Sequence, residues 1–191
     1  MQSIEYFNRR ALEYDLWYER NQRLFLTEVT FLRSKFVIAS PSLEVGCGSG
    51  RFIATLKIDV GIDPAIELLK LAKKRGMVIC GKGEELPFPS HHFRSLFLIT
   101  TIEFVSNPTA VLREASRVLR DRGYIGIGFI ERGSRLSQRY MEKGGFYQYS
   151  NFYSKEELEA ILKRVGFPTV YYCPSPIPGF SLISGWKADN A

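Results

Sequence analysis

Histidine is nearly missing from this sequence: its two copies, His91 and His92, are adjacent and sit beside Pro89 and Ser90 in an expected turn. With no C-x-x-C pair and no histidine cluster, neither zinc nor another metal is expected. Cysteine is scarce as well. Three copies cannot all pair, and Cys47 and Cys80 fall in or beside apolar, strand-like runs. They read as reduced, buried thiols, which suits a cytoplasmic protein. No apolar run approaches the ~20 residues that cross a bilayer, and Met1-Gln2-Ser3-Ile4-Glu5 lacks a signal-peptide hydrophobic region. Charge of one sign nowhere accumulates: 26 Lys and Arg against 20 Asp and Glu leave +6, scattered along the chain. The densest basic group, Arg113, Arg117, Arg120 and Arg122, begins with two residues four apart and reads as a solvated helix face. Neither a membrane nor a nucleic acid is the expected partner. No repeat or low-complexity segment interrupts the chain.

What is present is ordinary globular composition, 45% hydrophobic and 24% charged over 191 residues, enough for one domain with a sizeable core. The informative stretch is Ser42-Leu43-Glu44-Val45-Gly46-Cys47-Gly48-Ser49-Gly50-Arg51-Phe52. Leu43 and Val45 suit a buried strand, and Gly46, Gly48 and Gly50 then form a turn opening a helix. Glycine there permits positive φ and lets a ligand lie against the backbone, whose N–H groups suit a carboxylate or a phosphate. A dinucleotide site prefers G-x-G-x-x-G, but here the spacing is G-x-G-x-G and Arg51 stands where the last glycine would be. Glu44, two positions before the first glycine, would repel a pyrophosphate and attract an ammonium or a sulfonium. S-adenosylmethionine (SAM) carries both cations, with a carboxylate for the backbone.

With these residues the sequence resembles the class I SAM-dependent methyltransferases, whose first motif reads (D/E)-x-G-x-G-x-G, and within them the small-molecule enzymes of the ubiquinone and menaquinone biosynthesis type. Gly61-Ile62-Asp63-Pro64-Ala65 matches the family's second motif, at the end of a second strand. The resemblance implies that Asp63 takes both ribose hydroxyls, and the residues alone also allow it as an N-cap for a helix over Ala65–Arg75. Met77-Val78-Ile79-Cys80 reads as a third buried strand. Gly81-Lys82-Gly83-Glu84-Glu85-Leu86-Pro87-Phe88 then resembles the family's G-D-A-E-x-L-P-F loop beside the adenine. It departs from that pattern at Lys82, which has no acceptor for the adenine amino group, so Glu84 or the backbone of Gly83 and Glu84 is left to hold the base. Phe93 to Phe104 is a fourth strand and its exit, and Arg94 replaces a usual aspartate. The resemblance thus places Glu44, Gly46, Cys47, Gly48, Gly50, Asp63, Pro64, Gly83, Glu84, Ile99 and Thr100 around SAM. At the strand exit Glu103 is the one ionisable candidate for a general base, or a structural hydrogen-bonding residue.

Asn107-Pro108-Thr109 starts a helix to Arg120, Asp121-Arg122-Gly123 stops it, and Tyr124–Ile130 is a fifth strand; Arg117-Val118-Leu119 match the family directly. Residues 131–153 lose all periodicity and read as an insertion on the substrate side. Its Arg132, Arg135, Arg139, Tyr140 and Tyr147 suit an acceptor with a flat or apolar part and an anionic one. The N-terminal residues 1–36 are helical and aromatic-rich. Their Phe7…Tyr14-Asp15…Trp17 pattern resembles a segment that folds over the cofactor as a lid, while the bare residues equally allow an aromatic stripe on the domain. Tyr14, Trp17, Tyr140 and Tyr147 are therefore the substrate candidates. Ser154 and Glu157 form a capping box, and two closing strands follow.

The resemblance implies a single α/β domain over residues 1–191, a three-layer sandwich with a Rossmann-like, seven-stranded, mostly parallel sheet and one antiparallel strand. The activity it implies is SAM-dependent methyl transfer to nitrogen or oxygen of a small-molecule acceptor. A non-catalytic SAM-binding module, an RNA methyltransferase and, against the glycine spacing, a nicotinamide-dependent dehydrogenase are the alternatives.

Overall fold

Four consecutive buried residues, Ser42–Val45, form strand β1. In this computed structural model, which describes residues 2–189, β1 is an interior strand, third across a seven-stranded sheet. Met1, Asn190 and Ala191, also within the expected domain, lie outside the described residues. The other strands are β2 (Val60–Asp63), β3 (Met77–Cys80), β4 (Phe93–Ile99), β5 (Leu119–Ile130), β6 (Thr169–Pro174) and β7 (Phe180–Trp186), in the order β3-β2-β1-β4-β5-β7-β6. The first five run parallel, with Glu44 opposite Gly61 on one side and Phe97 on the other. β7 alone is antiparallel to both neighbours, β5 and β6. Strand order reverses between β1 and β4, which opens a crevice at their C-terminal ends.

Alternation along β4 divides the core. Leu96 and Leu98 pack among Val111, Leu112, Ala115 and Val118 of α6 (Pro108–Val118) and Leu158 and Leu162 of α8 (Lys155–Arg164). Phe97 and Ile99 face the opposite layer, with Phe25, Val29 and Leu32 of α3 (Gln22–Lys35) and Phe52 and Leu56 of α4 (Arg51–Leu56). Helix starts follow the local chemistry. Asn107 accepts from the Ala110 N–H with Pro108 in the first turn, and Ser154 and Glu157 complete the expected capping box. The three-layer sandwich with one antiparallel strand is as the sequence predicts.

Several elements differ from expectation. The N-terminal segment is three helices, α1 (Gln2–Arg9), α2 (Ala11–Arg20) and α3, broken at Arg10 and Asn21. β3 is an edge strand whose residues are at most half-buried, because the order reversal leaves it without an outer neighbour; Cys80 is exposed, contrary to the reading of a buried thiol. β5 begins at Leu119 instead of Tyr124, since Arg122 takes φ +58° and the register against β4 shifts there, so the strand resumes without a loop. Helix α5 (Ile66–Ala72) stops three residues short of Arg75.

That early stop has a consequence. Arg75 reaches back to Asp15 on α2, donating from Nη1 and Nη2 at 2.8 and 2.9 Å. Arg51 donates to the same carboxylate at 2.8 and 2.9 Å, and Ser49 Oγ does so at 2.6 Å. Burial alone would raise the Asp15 pKa, but these hydrogen bonds from Arg51, Arg75 and Ser49 outweigh it and hold the acid well below the usual carboxylate range. One buried carboxylate thus fastens α2 across the glycine turn. Asp15→Ala leaves two arginines facing each other and is expected to cost ~3–5 kcal/mol in urea unfolding. Because the folded pKa is depressed, this contribution is complete above the unfolded value near ~4 and is lost as pH falls through the acid range. The variant should therefore show a shallower loss of stability below about pH 4 than the parent; an equal slope would show that Asp15 is not the acid-sensitive tie.

Candidate active site

The glycine turn leaves β1 in three left-handed steps, with φ +73°, +53° and +79° at Gly46, Gly48 and Gly50. Its approach to the surrounding chain is close. A Cβ on Gly46 would lie 2.2 Å from Thr101 Cγ2, and one on Gly48 would lie 3.3 Å from the Tyr14 ring. Gly46 and Cys47 donate to the Ile62 carbonyl at 2.8 and 3.1 Å, and Gly48 N donates to Asp63 Oδ2 at 2.9 Å. Asp63 Oδ1 accepts from Ala65 N at 2.8 Å. Helix α5 starts after Ala65 with no side-chain cap, so Asp63 joins two loops and does not cap the helix. Burial raises its pKa to about 6 against the two N–H bonds that lower it. Each oxygen retains a lone pair, so two hydroxyls can still be accepted.

Above this turn lies an open hollow. Gly46, Gly48, Asp63 and Pro64 form one wall, Gly83 and Glu84 another, and Thr100 closes the end. Glu84 Oε1 accepts from Ser106 N and Oγ at 3.2 and 2.9 Å, which pins its loop. Lys82 also lines the hollow. Ser3, Ile4 and Phe7 of α1 and Tyr14 of α2 lie across it. Tyr6 packs on Tyr149 at 5.6 Å in the short 3₁₀ turn Gly145–Tyr149, and Phe7 packs edge-on to Phe104 at 5.3 Å.

Not every sequence candidate reaches the hollow. Cys47 turns into a small cluster with Ile53, Leu69 and Ala72. A Cβ on Gly50 would lie 3.0 Å from Ala72 Cβ, so its role is packing. Ile99 is buried in the α3-side core. Glu103 is fully buried and lines no hollow among the described residues; its Oε1 accepts from Ile130 N at 2.7 Å, a bond that ties the β4 exit to the end of β5. Burial raises its pKa to about 7; one oxygen ties the two strands together, and neither hollow reaches the residue. Glu44 likewise lines neither hollow, and Glu103 shares with it a buried Oε2 that lacks a hydrogen-bond partner among the described residues. Glu44 lies buried beneath the turn. Burial, then the nearby Asp63 and Glu28 carboxylates, push its pKa well above the usual value. An orphaned acid under a cradle that a Cβ would fill fits the cationic amino acid end of SAM.

A second hollow adjoins the first and shares Phe7, Tyr14, Thr100 and Phe104 with it. Tyr14, Trp17, Tyr140 and Tyr147 all line it, the last two stacked with centroids 3.8 Å apart. Tyr140 comes from α7 (Arg135–Lys143), so the insertion supplies one wall and α2 the other. Thr100 stands between the hollows at φ +46°, a strained backbone for a β-branched residue. The expectation of an anionic acceptor is not met: Arg132, Arg135 and Arg139 are exposed and outside the lining, and Arg132 pairs with Glu157 at 2.6 Å. The ionisable surprise is Glu28, which lines the second hollow while 92% buried. It was legible in principle, since it sits with Phe25, Val29 and Leu32 on the apolar stripe of α3. A carboxylate at a stripe position is the signal. Among the described residues no cluster suits a metal ion, and no helix is long and apolar enough to cross a membrane.

Residues 43–127 match the methyltransferase-domain family. An uncharacterised protein of Methanocaldococcus jannaschii is 39% identical over 168 residues, covering 86% of this chain and 82% of that protein. An uncharacterised Mycobacterium tuberculosis protein is 36% identical over 170 residues, or 85% of this chain, which spans 60% of that protein's length. A solved SAM-dependent methyltransferase of Thermotoga maritima, named a possible histamine N-methyltransferase, superposes with TM-score 0.88 at 29% identity, covering 97% of this chain and 99% of that one. Sheet order, glycine turn and these likenesses agree, and the chain belongs to the SAM-dependent methyltransferases.

Proposed function

We propose that this methyltransferase acts on nitrogen or oxygen of a small molecule seated in the aromatic hollow. The observation that carries the reading is the partnerless, buried Oε2 of Glu44 beneath a glycine turn, with a separate apolar hollow opening from the same crevice. When bound, SAM supplies a methyl group on a sulfonium, already activated for in-line displacement. Glu44 would hold the amino group of its methionine part, with Gly46 and Gly48 against the backbone of that part. Asp63 would accept from the ribose hydroxyls, and Pro64, Gly83 and Glu84 would face the adenosine. Glu84 already accepts twice from Ser106, so the backbone of the loop and apolar contact carry the base recognition that Lys82 cannot.

The remaining residues orient the acceptor and exclude water. Phe7, Tyr14 and Phe104 touch both hollows, so closure of α1 and α2 over one shapes the other. The second hollow is enclosed by side chains, which favours a small acceptor over a nucleic acid. The name of the Thermotoga relative, a possible histamine N-methyltransferase, supports the same size class.

Calorimetric titration with SAM and S-adenosylhomocysteine tests the cofactor assignment. Glu44→Gln and Asp63→Asn should each weaken SAM by about 10–100-fold, the worth of one charge-assisted hydrogen bond. Unchanged affinity in both variants would overturn the placement. Proton linkage gives a second outcome. Glu28, Glu103 and Asp63 carry pKa values raised by burial to about 8, 7 and 6, so between their unfolded and folded values the native state holds more protons. Their contribution to the stability of the ligand-free protein is therefore complete below about pH 4 and declines as pH rises toward about 8. Thermal melts across that range should show a falling midpoint, made shallower by saturating SAM; a midpoint rising with pH would contradict the buried-acid account.

A further inference from the structure

The lining of the aromatic hollow holds one charged side chain. Glu28 shares the lining with Phe7, Tyr14, Trp17, Tyr18, Tyr140 and Tyr147, and no lysine, arginine or histidine joins them among the described residues. Glu28 is 92% buried yet lines the hollow, and no ion pair among the described residues involves it. The ionisable groups near it are equally uncompensating: Tyr14 and Tyr18 on α2, Tyr140 on α7, Glu44 on β1 and Glu103 after β4. Every one is neutral or acidic. The arginines closest to the turn, Arg51 and Arg75, are already bound to Asp15.

A buried acid without a partner is a costly arrangement, and an isolated fold would replace it with an apolar residue. Aromatic faces around it attract cations and disfavour anions. A phenolate, carboxylate or phosphate entering here would meet an acid and aromatic faces, with no cation among the described lining residues to pair with it. We propose that the hollow takes a protonated amine, and that Glu28 pairs with its ammonium and withdraws the proton before methyl transfer. The proposal rests on the methyl-transfer reading above and names its acceptor class.

The chemistry balances without another reactant. An N–H bond of the ammonium breaks, its electron pair stays on nitrogen, and the proton passes to a Glu28 oxygen. The freed pair forms the N–CH₃ bond while the C–S bond of the methyl donor breaks and its pair goes to sulfur. The product is a methylated ammonium, and the Glu28 proton leaves to solvent as the hollow opens. Glu28 is in this account a catalytic residue, touching the acceptor.

The test uses the full chain saturated with S-adenosylhomocysteine, which fills the adenosyl site without turnover. Calorimetric titrations with 2-phenylethylamine and tryptamine are compared with 2-phenylethanol and 3-phenylpropanoate, the neutral and anionic counterparts. At least one amine should bind, the anion should not, and Glu28→Gln should weaken the amine at least about tenfold while leaving S-adenosylhomocysteine unchanged. In the parent near about pH 7, amine binding should expel close to one proton as Glu28 ionises, read from buffers of different ionisation heat; Glu28→Asp should retain that release and Glu28→Gln abolish it. With an amine that is methylated, Glu28→Gln should lose kcat at neutral pH and regain it toward about pH 10, where the free base arrives without help. Normal S-adenosylhomocysteine binding with no amine bound, with equal amine affinity in Glu28→Gln, or with preference for the anion overturns this proposal alone. Failure to bind S-adenosylhomocysteine would instead overturn the methyl-transfer reading.

Discussion

Uncompensated negative charge is the constraint on which this structure turns. Glu28, Glu44, Asp63 and Glu103 are all buried along the C-terminal crevice of the sheet, on four different elements, and among the described residues none of them forms an ion pair. Burying one such acid costs several kcal/mol unless it stays protonated or gains a partner. Two are partly answered by backbone N–H groups, Asp63 by Gly48 and Ala65 and Glu103 by Ile130. The Oε2 atoms of Glu44 and Glu103 are buried with no partner among the described residues, and Glu28, which lines the aromatic hollow, has no cation beside it there. A fold that keeps such groups keeps them for cations that come and go, and the ligands of a sulfonium-dependent enzyme are cations.

The arginines nearby show how the charge is kept apart. Asp15 collects Arg51 and Arg75 on the outer side of the glycine turn, where they hold α2 down, and leaves none for the inner side. The same contact that fastens the N-terminal helices thereby preserves the electrostatics of the crevice beneath them. Arg51, at the position where a dinucleotide fold would need glycine, is spent on this tie. Helix packing and ligand preference are coupled through one carboxylate.

The sequence made the sheet and the adenosyl side legible because those features repeat a short-range pattern: a strand, three spaced glycines, then a strand ending in Asp63-Pro64. The errors fall where tertiary context decides. Cys80 and β3 look buried by composition, but edge position is a property of strand order. Cys47, Gly50 and Ile99 sit inside the right motif and point away from the hollow, because a turn and a strand present their residues to opposite sides. Glu103 looked like a base because it was the ionisable group nearest the strand exit, whereas the backbone of β5 had already claimed it. Glu28 escaped notice because its stripe was read for its apolar members. The aromatics of the N-terminal helices and the insertion were legible as candidates, yet nothing local could show that they face one another.

That facing arrangement explains how one scaffold separates cofactor from acceptor. Thr100 stands at the seam with φ +46°, where glycine would sit without strain, and contacts both hollows. Holding a β-branched residue there costs of order 1–3 kcal/mol, and the sheet register on either side, with Thr100 N bound to the Gly128 carbonyl at 2.8 Å, is rigid enough to enforce it. The strained residue puts a side chain where glycine would leave a gap between the two hollows. On one side the recurrent motif supplies backbone and acids for the adenosyl group. On the other, α1, α2, α3 and the insertion, which carry no motif, supply aromatic faces and Glu28. Specificity for the acceptor is thus written in the segments whose sequence pattern is weakest, on helices pinned to the motif by Asp15, and changes there can redirect the acceptor without touching the cradle.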